Sequence, residues 1–311
     1  MICAAREFML YFRTKRRFIM NECHACAREC GVDRSRRTGF CKMGNNPVVA
    51  RAGLHFWEEP CISGTKGSGT VFFSGCNLRC VYCQNYEISS ECQGKEVTVE
   101  RLREIYRELI AKGAHNINLV TPMHFSDAVL ESLDAPLPVP VVCNTNGYES
   151  VENLKRFEGK FQIYLPDVKY SDDALAERFS SAKDYFKTAR RAVREMLRQT
   201  GSYRIDEETG LMRRGVVIRH LLLPNHVENT LRVIDWVAET FEPGEVMFSL
   251  MRQYIPHGRA AEFADLNRKV TDEEYKRVED HLFESGIEDG FVQDQESASD
   301  SFIPSFDGTG V

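Results

Sequence analysis

The sequence lacks any uninterrupted apolar run of about 18 residues, the length that a membrane-spanning helix needs. It also lacks an excess of basic residues. Its 40 lysines and arginines stand against 46 aspartates and glutamates, which gives a formal net charge of −6. Without a global basic field, the chain has no general attraction to nucleic acid or to an anionic membrane. Composition therefore disfavours membrane and nucleic-acid partners.

The first twenty residues lack the order of a secretory signal. Their apolar residues precede the charges at residues 13–17, and no small-residue cleavage site follows. We interpret residues 1–19 as an optional extension or a misassigned start, with Met20 as the alternative first residue. A basic amphipathic helix is the other interpretation.

The cysteines do not have the pattern of a disulfide framework. There are eleven of them, an odd number, and most are clustered. This usage favours metal ligation in a reducing compartment. We therefore expect a cytoplasmic protein.

One cluster comprises Cys76, Cys80 and Cys83, spaced C-x3-C-x2-C. Three thiolates this close on a tight loop can bind three irons of one cubane, whereas a ferredoxin-type cluster takes four cysteines. The remaining iron then has an open position for a substrate or cofactor, which favours chemistry over electron storage alone. The competing interpretation, a zinc knuckle, requires four ligands, and Cys92, the nearest further cysteine, has no partner spacing.

This motif, with Tyr82 just before its last cysteine, resembles the cluster motif of the radical S-adenosylmethionine (SAM) superfamily. The resemblance implies a [4Fe-4S] cluster on the three cysteines, with its fourth iron chelated by the amino and carboxylate groups of SAM. It also implies an electron donor such as flavodoxin or ferredoxin. The electron would split SAM into methionine and a 5′-deoxyadenosyl radical, which abstracts hydrogen from a substrate.

A second set of thiols precedes this motif: Cys23, Cys26, Cys30 and Cys41, spaced C-x2-C-x3-C-x10-C. Two close pairs of thiols flanking a glycine-containing loop can wrap one tetrahedral metal. Zinc, a second iron–sulfur cluster and unligated thiols are the three alternatives. We expect a metal site here that is separate from the first motif. Residues 58–70 follow as a flexible lead-in, because the Gly-Lys-Ser/Thr order of a phosphate loop is missing.

Strand and helix signals alternate from residue 71 onward. The six segments predicted as strands are residues 71–74, 117–121, 140–143, 161–165, 215–223 and 246–250. Six such units predict an α/β fold, an incomplete (β/α)6 TIM-type barrel over residues 71–294. A cysteine-rich metal-binding segment, residues 20–70, precedes the barrel. The Ser-, Asp- and Gly-rich residues 295–311 are expected to form a flexible tail.

Three helix signals are specific enough to test. Thr98 is a predicted N-cap for a helix that presents three apolar side chains on one face. Residues 181–198 are predicted to be one long helix. Thr271 and Glu274 form a predicted capping box.

Several phrases resemble those of pyruvate formate-lyase activating enzyme homologues: GSGTVFFSGCNLRCVYCQNYEIS, GAHNINLVTP, NTNGYE, YLPDVKY, RHLLLP and LMRQY. The resemblance implies that Asn144, Asp167 and Lys169 occupy positions that help bind a monovalent cation and SAM. Asn144 replaces a carboxylate there. Thr121 stands where a Gly-Gly-Glu phrase would grip the SAM amino group.

Other candidates lie at the carboxyl ends of the predicted strands, where the sites of such barrels are found. Arg219 and Lys169 can neutralise the SAM carboxylate or form salt bridges inside the barrel. His124 can face a ligand or be a satisfied strand-end histidine. His220, His226 and Tyr254 are weaker candidates. The predicted cofactor-binding residues are thus Tyr82, Thr121, Asn144, Asp167, Lys169 and Arg219.

Three functions remain open from the sequence. The first is a radical SAM enzyme that acts on a protein or peptide, for example one that activates a glycyl-radical enzyme. The second is a radical SAM enzyme for a small metabolite or an RNA base, although Arg34, Arg36 and Arg37 give RNA only slight support. The third is a non-catalytic iron–sulfur electron carrier, which the predicted barrel disfavours because a carrier needs no barrel.

Overall fold

A computed structural model of the chain describes residues 22–311. The predicted extension, residues 1–19, lies outside the described residues. The strands are β1 (Val48–His55), β2 (Ser68–Phe73), β3 (Lys95–Glu96), β4 (Ile117–Val120), β5 (Val141–Thr145), β6 (Ile163–Pro166), β7 (Arg204–Ile205), β8 (Met212–Leu221), β9 (Met247–Met251) and β10 (Gly290–Val292). The helices are α1 (Pro60–Ser63), α2 (Tyr86–Ser89), α3 (Val99–Ala111), α4 (Ser126–Ser132), α5 (Val151–Lys155), α6 (Asp173–Ser180), α7 (Tyr185–Thr200), α8 (Val227–Thr240) and α9 (Asp272–Glu284).

The sheet is a curved run of parallel strands in the order β10-β9-β8-β6-β5-β4-β2, followed by antiparallel β1 and β3. All six predicted strands are present, as β2, β4, β5, β6, β8 and β9, and the predicted α/β partial barrel is confirmed. Strands β1, β3, β7 and β10 lie outside the six predicted segments. The three mostly exposed residues of β10 carry too little apolar periodicity to predict a strand.

Side chains alternate between the two faces of the parallel strands. The outward residues, such as Leu119 of β4 and Ile218 of β8, join the helices in the main core. The inward residues near the amino ends of the strands pack against Cys61 and Ile62 of α1, which plugs that end of the barrel. Further along, the inward residues become polar, as with Asn144 of β5. The interior is therefore apolar at its floor and polar towards its mouth.

Residues 295–311, expected to form a flexible tail, dock onto β1 in the structure. The Ala52 amide donates to the Thr309 carbonyl at 2.8 Å, and the Gly308 amide donates to the Ala50 carbonyl at 3.0 Å. Phe306 packs edge-on against Phe72 of β2, with the ring centroids 5.4 Å apart. The tail differs from the expectation because scattered apolar residues in a polar segment find partners on an unpaired sheet edge.

Two of the helix predictions are confirmed. Thr98 caps α3, its side chain accepting from the Arg101 amide, and Thr271 and Glu274 form the capping box of α9. The long helix predicted at residues 181–198 is wrong in its start. A left-handed residue at Ser181 ends α6, and α7 begins only at Tyr185. Among the described helices, none is long and apolar enough to cross a membrane.

Candidate active site

The loop between β2 and α2 carries Cys76, Cys80 and Cys83 at the carboxyl end of β2. Each thiol accepts a hydrogen bond. The donors are Leu78 N at 3.4 Å and Asn146 Nδ2 at 3.3 Å to Cys76, Ser180 Oγ at 2.9 Å to Cys80, and Ser89 Oγ at 3.3 Å to Cys83. Donors aimed at sulfur stabilise the thiolate, which is the form that binds iron. The donor set therefore fits a three-cysteine cluster.

Burial acts on two of the three thiols, Cys76 and Cys80, and raises the pKa of both. Burial raises the pKa of Cys80 to about 11, although the Lys169 ammonium opposes the shift. Within residues 22–311, no group of three or more His, Cys, Asp or Glu side chains has the arrangement of a finished metal site.

A cavity of about 430 Å³ opens beneath this loop. Its wall includes the three cysteines and the carboxyl ends of the barrel strands. The six predicted cofactor-binding residues all line it: Tyr82, Thr121, Asn144, Asp167, Lys169 and Arg219. The structure thus brings the three thiols and the strand-end residues together around one space.

Arg219 is the centre of a buried polar layer inside the barrel. Its Nε donates to Asp167 Oδ1 at 2.8 Å, its Nη1 to Glu58 Oε2 at 2.9 Å, and its Nη2 to Asn144 Oδ1 at 2.7 Å. The Lys169 ammonium donates to Asp167 Oδ2 at 2.6 Å. Of the two alternatives for Arg219 and Lys169, the structure has both in salt bridges. The Arg219 guanidinium also contacts the two positions, Asn144 and Asp167, where the resemblance implied a monovalent cation.

These contacts set the charges of the layer. Burial alone would raise the pKa of Asp167, but the Arg219 and Lys169 charges outweigh it and hold that pKa below its ordinary value. Glu58 and Glu59 behave differently, because burial dominates and raises the pKa of both carboxyl groups. The layer therefore contains a carboxylate, Asp167, that two cations hold ionised and two glutamates, Glu58 and Glu59, for which burial outweighs the effect of Arg219.

Glu58 and Glu59 are the site residues that the sequence analysis missed. We interpreted residues 58–70 as a flexible lead-in, whereas both carboxyl groups line the cavity and α1 follows them directly. The available signal was an acidic pair beside Pro60, an apolar Cys61-Ile62 step and a glycine. When the apolar residues in the first turn of a helix are buried, the residues immediately before them are also brought into the interior.

A chain of hydroxyl groups connects Tyr82 to the second cysteine. The Tyr82 and Tyr170 hydroxyls lie 2.7 Å apart, Tyr170 and Ser180 lie 2.6 Å apart, and Ser180 donates to Cys80. The chain fixes the ring of Tyr82 against the cluster loop. Because all three hydroxyl groups have hydrogen-bond partners, this series of hydrogen bonds orients the cluster loop.

The histidine candidates do not face the cavity, but Tyr254 does. His124 is buried, and its Nε2 lies 2.9 Å from the Ser74 carbonyl oxygen, so it is the satisfied strand-end histidine of the two alternatives. His220 contacts the Val168 carbonyl and the Thr230 hydroxyl. Burial lowers the pKa of His124 to about 3 and that of His220 to about 4, so both are neutral near pH 7.

The N-terminal thiols lie near one another, outside this cavity. A Cβ atom built on Gly39 would lie 3.3 Å from Cys30 Sγ and 3.5 Å from Cys41 Sγ, so these two sulfurs are neighbours. Burial raises the pKa of Cys26 to about 12, and the nearby Cys23 and Cys41 thiols add to the shift. The four thiols thus share one region. Like the first set, they are not arranged as a finished metal site among the described residues.

The N-terminal segment packs directly on the cluster loop. The Arg28 guanidinium donates from Nε to the Asn77 carbonyl at 2.7 Å and from Nη2 to the Ser180 carbonyl at 3.2 Å. Cys26 forms an isolated antiparallel bridge with Glu149, which follows β5. The position of the cluster loop therefore depends on this segment.

Comparison with known proteins matches residues 70–237 to the Radical SAM superfamily. An uncharacterized protein of Methanocaldococcus jannaschii, MJ0674, is 31% identical over 270 residues, which cover 84% of this chain and 74% of that protein. A 7-carboxy-7-deazaguanine synthase of Methanothermobacter thermautotrophicus is 32% identical over 112 residues, 35% of this chain and 42% of that protein.

Among solved structures, Streptococcus suis SuiB bound to its precursor peptide SuiA matches with a TM-score of 0.47 and 10% identity. The match covers 71% of this chain and 47% of SuiB, so the chain spans about half the length of that protein. A domain of pyruvate-formate lyase-activating enzyme from Bacteroides vulgatus matches with a TM-score of 0.36, at 12% identity, covering 63% of this chain and 91% of that domain.

The barrel, the cysteine loop at its mouth and the sequence match agree on one class of protein. The chain belongs to the radical SAM superfamily. That membership implies a [4Fe-4S] cluster and SAM as cofactors, and an electron donor.

Proposed function

We propose that the chain cleaves SAM reductively at a [4Fe-4S] cluster held by Cys76, Cys80 and Cys83. When bound, the cluster and SAM supply a 5′-deoxyadenosyl radical for hydrogen abstraction from a substrate. The observation that carries the proposal is the shared cavity: all three thiols and all six predicted cofactor-binding residues line it. The electron donor is proposed to be a flavodoxin or ferredoxin, and the compartment the cytoplasm.

The chain's own residues would position and shield this chemistry. Ser180, Ser89 and Asn146 donate hydrogen bonds to the thiols and would orient them. Tyr82 and Tyr254 would wall the cavity on the cluster side, with ring centroids 5.9 Å apart. Burial raises the pKa of Cys80 and the nearby Lys169 ammonium opposes that rise, so its charge would also favour an anionic cluster.

The experiment is anaerobic reconstitution with iron and sulfide, followed by a strong reductant and SAM, with 5′-deoxyadenosine measured. Wild-type protein should form it slowly even without its true substrate. Cys76→Ala, Cys80→Ala and Cys83→Ala should form none, because losing one thiolate opens a second iron and weakens the hold on the cluster. Cys92→Ala is the matched control, and it should behave as wild type. A reconstituted wild type that forms no 5′-deoxyadenosine would favour the electron-carrier hypothesis.

For the substrate, our first hypothesis remains a protein or peptide, in the manner of an enzyme that activates a glycyl-radical enzyme. A small metabolite is the second, and one observation favours it. Residues of the tail, including Phe302 and Pro304, line the cavity and narrow the open side of the barrel. One relative is named 7-carboxy-7-deazaguanine synthase, and the product in that name is a small molecule. Co-purification with a protein that carries a glycyl-radical loop would decide for the first hypothesis.

We also propose that Cys23, Cys26, Cys30 and Cys41 bind zinc or a second iron–sulfur cluster at a site of their own. The proximity of the four thiols supports this, because a tetrahedral site needs four sulfurs about 2.3 Å from one metal. Metal analysis of protein reconstituted with zinc or with iron and sulfide would tell the alternatives apart. Protein that binds neither beyond the first cluster would leave these residues as unligated thiols.

A further inference from the structure

The backbone of Glu58 and Glu59 lies towards the end of the barrel opposite the cysteine loop, and the Glu58 carboxylate reaches up to Asn144 and Arg219. Their backbone precedes α1, which plugs the amino ends of the strands. The cysteine loop follows the carboxyl end of β2, a strand of six residues that spans about 20 Å. The two carboxyl groups therefore enter the cavity from its floor.

The buried polar layer holds more carboxylates than cations. Its ionisable members are Glu58, Glu59, Asp167, Lys169 and Arg219, and at most 16% of any of their side chains is exposed. Lys169 and Arg219 both pair with Asp167, and Arg219 also pairs with Glu58. Three carboxylates thus share two cations, and Glu59 has the weakest share.

Glu59 is the carboxylate with one oxygen left without a donor. Its side chain is 94% buried, and Oε2 has no hydrogen-bond partner. The nearest cationic group is Arg219 Nη1 at 3.8 Å, which already donates to Glu58. A buried carboxylate oxygen without a donor is costly, and a ligand that brings one relieves that cost.

A second acceptor beside this pair is also unfilled. Asn118 Nδ2 donates to Glu58 Oε1 at 3.3 Å, whereas Asn118 Oδ1 is buried and has no partner. Asn118 is fully buried on β4, behind Glu58 and outside the cavity lining, so its unpartnered oxygen is a second sign that hydrogen-bond donors are short around the pair. Both unpartnered oxygens are hydrogen-bond acceptors, so their missing partners are N–H or O–H donors. Because carboxylates outnumber cations here, a positively charged donor is favoured.

We propose that Glu59, with Glu58 and Asn118 beside it, binds a positively charged nitrogen group of the substrate, an amine or a guanidinium. The inference rests on the proposed function and narrows its substrate class. We assign this group to the substrate because the backbone of both glutamates lies on the floor side of the cavity. Since Glu58 also contacts Asn144 and Arg219, which are predicted cofactor-binding residues, the test measures SAM affinity as well. A lysine or arginine side chain of a peptide, or an amine-bearing metabolite, has the required chemistry.

The test measures binding rather than turnover. The full chain, reconstituted with its cluster and saturated with SAM, is titrated by calorimetry with n-butylammonium and with n-butanol, its uncharged counterpart. Wild type should bind the ammonium at least about tenfold more tightly than the alcohol, since hydrogen bonds to a charged partner carry that much discrimination. Glu59→Gln should lose the preference, because the amide keeps the size and removes the charge.

Glu208→Gln is the matched control, since Glu208 is exposed and outside the cavity. It should keep the wild-type preference. Circular dichroism should show that Glu59→Gln is folded, which is expected because Oε2 loses no partner.

Four results would overturn the proposal. They are the absence of any preference in wild type, an unchanged preference in Glu59→Gln, equal competition by potassium chloride, and a tenfold loss of SAM affinity in Glu59→Gln. The last would assign the carboxylate to the cofactor. Formation of 5′-deoxyadenosine is followed separately, so a failure of SAM cleavage counts against the proposed function and leaves the binding result readable.

Discussion

The two cysteine sets offer the same ligand chemistry in different surroundings. Cys76, Cys80 and Cys83 line a cavity at the mouth of the barrel, so a cluster on these three thiols would have space beside it for a ligand. The N-terminal set has four thiols, lies outside that cavity and packs against the cluster loop. An open site needs three protein ligands and adjacent space, whereas a closed site needs four ligands and no space.

This difference predicts different consequences of damage. Loss of a ligand at the mouth should abolish chemistry and leave the fold intact. Loss of a ligand in the N-terminal set should weaken the fold first, because metal binding there would contribute directly to folding. The predictions below test that division.

The largest effect is expected for Cys26→Ser. If the N-terminal set binds a metal, this change should remove about one metal site per chain and several kcal/mol of unfolding free energy. Metal content and urea unfolding measure both. Cys92→Ser, in a polar connection, is the control and should change neither. Equal stability of Cys26→Ser and wild type would contradict a structural metal here.

Gly75→Ala tests the contact between the two sets. Gly75 has a φ of +76°, and an added Cβ would lie 2.6 Å from the Cys41 carbonyl oxygen, a backbone atom that cannot move aside. We expect a loss of about 3 kcal/mol in unfolding free energy, together with poor cluster assembly. Chemical denaturation and iron content measure these.

Gly159→Ala is the matched control for that substitution. Gly159 has a similar φ of +79°, but nothing lies within 4 Å of an added Cβ. Gly159→Ala should lower the unfolding free energy by only about 1 kcal/mol, the cost of placing an alanine in a left-handed backbone conformation. Equal losses for the two variants would show that the contact with the N-terminal segment is not the cause.

Arg28→Gln should have an intermediate effect. Its guanidinium donates to the carbonyls of Asn77, Ser180 and Ser181 and so joins the N-terminal segment to the mouth. Removing these charge-assisted bonds should cost about 2 kcal/mol of unfolding free energy and slow the formation of 5′-deoxyadenosine. Arg36→Gln, whose side chain is 82% exposed, should match wild type. A stable but inactive Arg28→Gln would assign Arg28 to chemistry instead.

The smallest effect is expected for Ser180→Ala, which removes one donor to Cys80. Hydrogen bonds to cluster sulfurs stabilise the more negative, reduced state, so the reduction potential should fall by on the order of tens of millivolts. A redox titration followed by electron paramagnetic resonance measures it. A rise in potential would contradict the assignment of Cys80 as a cluster ligand.

The sequence was most informative where a short pattern carries the chemistry. The cysteine spacing led to the superfamily, and six apolar segments led to the six barrel strands. Prediction failed where the outcome depends on distant partners. Residues 295–311 dock against the edge of β1. Ser181, in a left-handed conformation, ends α6 within a segment whose periodicity alone predicted one continuous helix.

By itself the sequence determined the family and the alternation of strands and helices, because these depend on neighbours in the chain. Only the tertiary structure decided the charges of the interior. Arg219 pairs with Asp167, which is 52 residues away in the sequence, and with Glu58, which is 161 residues away. Local sequence patterns do not predict such pairs. Burial then leaves Glu59 Oε2 without a donor, because the interior excludes the water that would hydrogen-bond to an exposed glutamate.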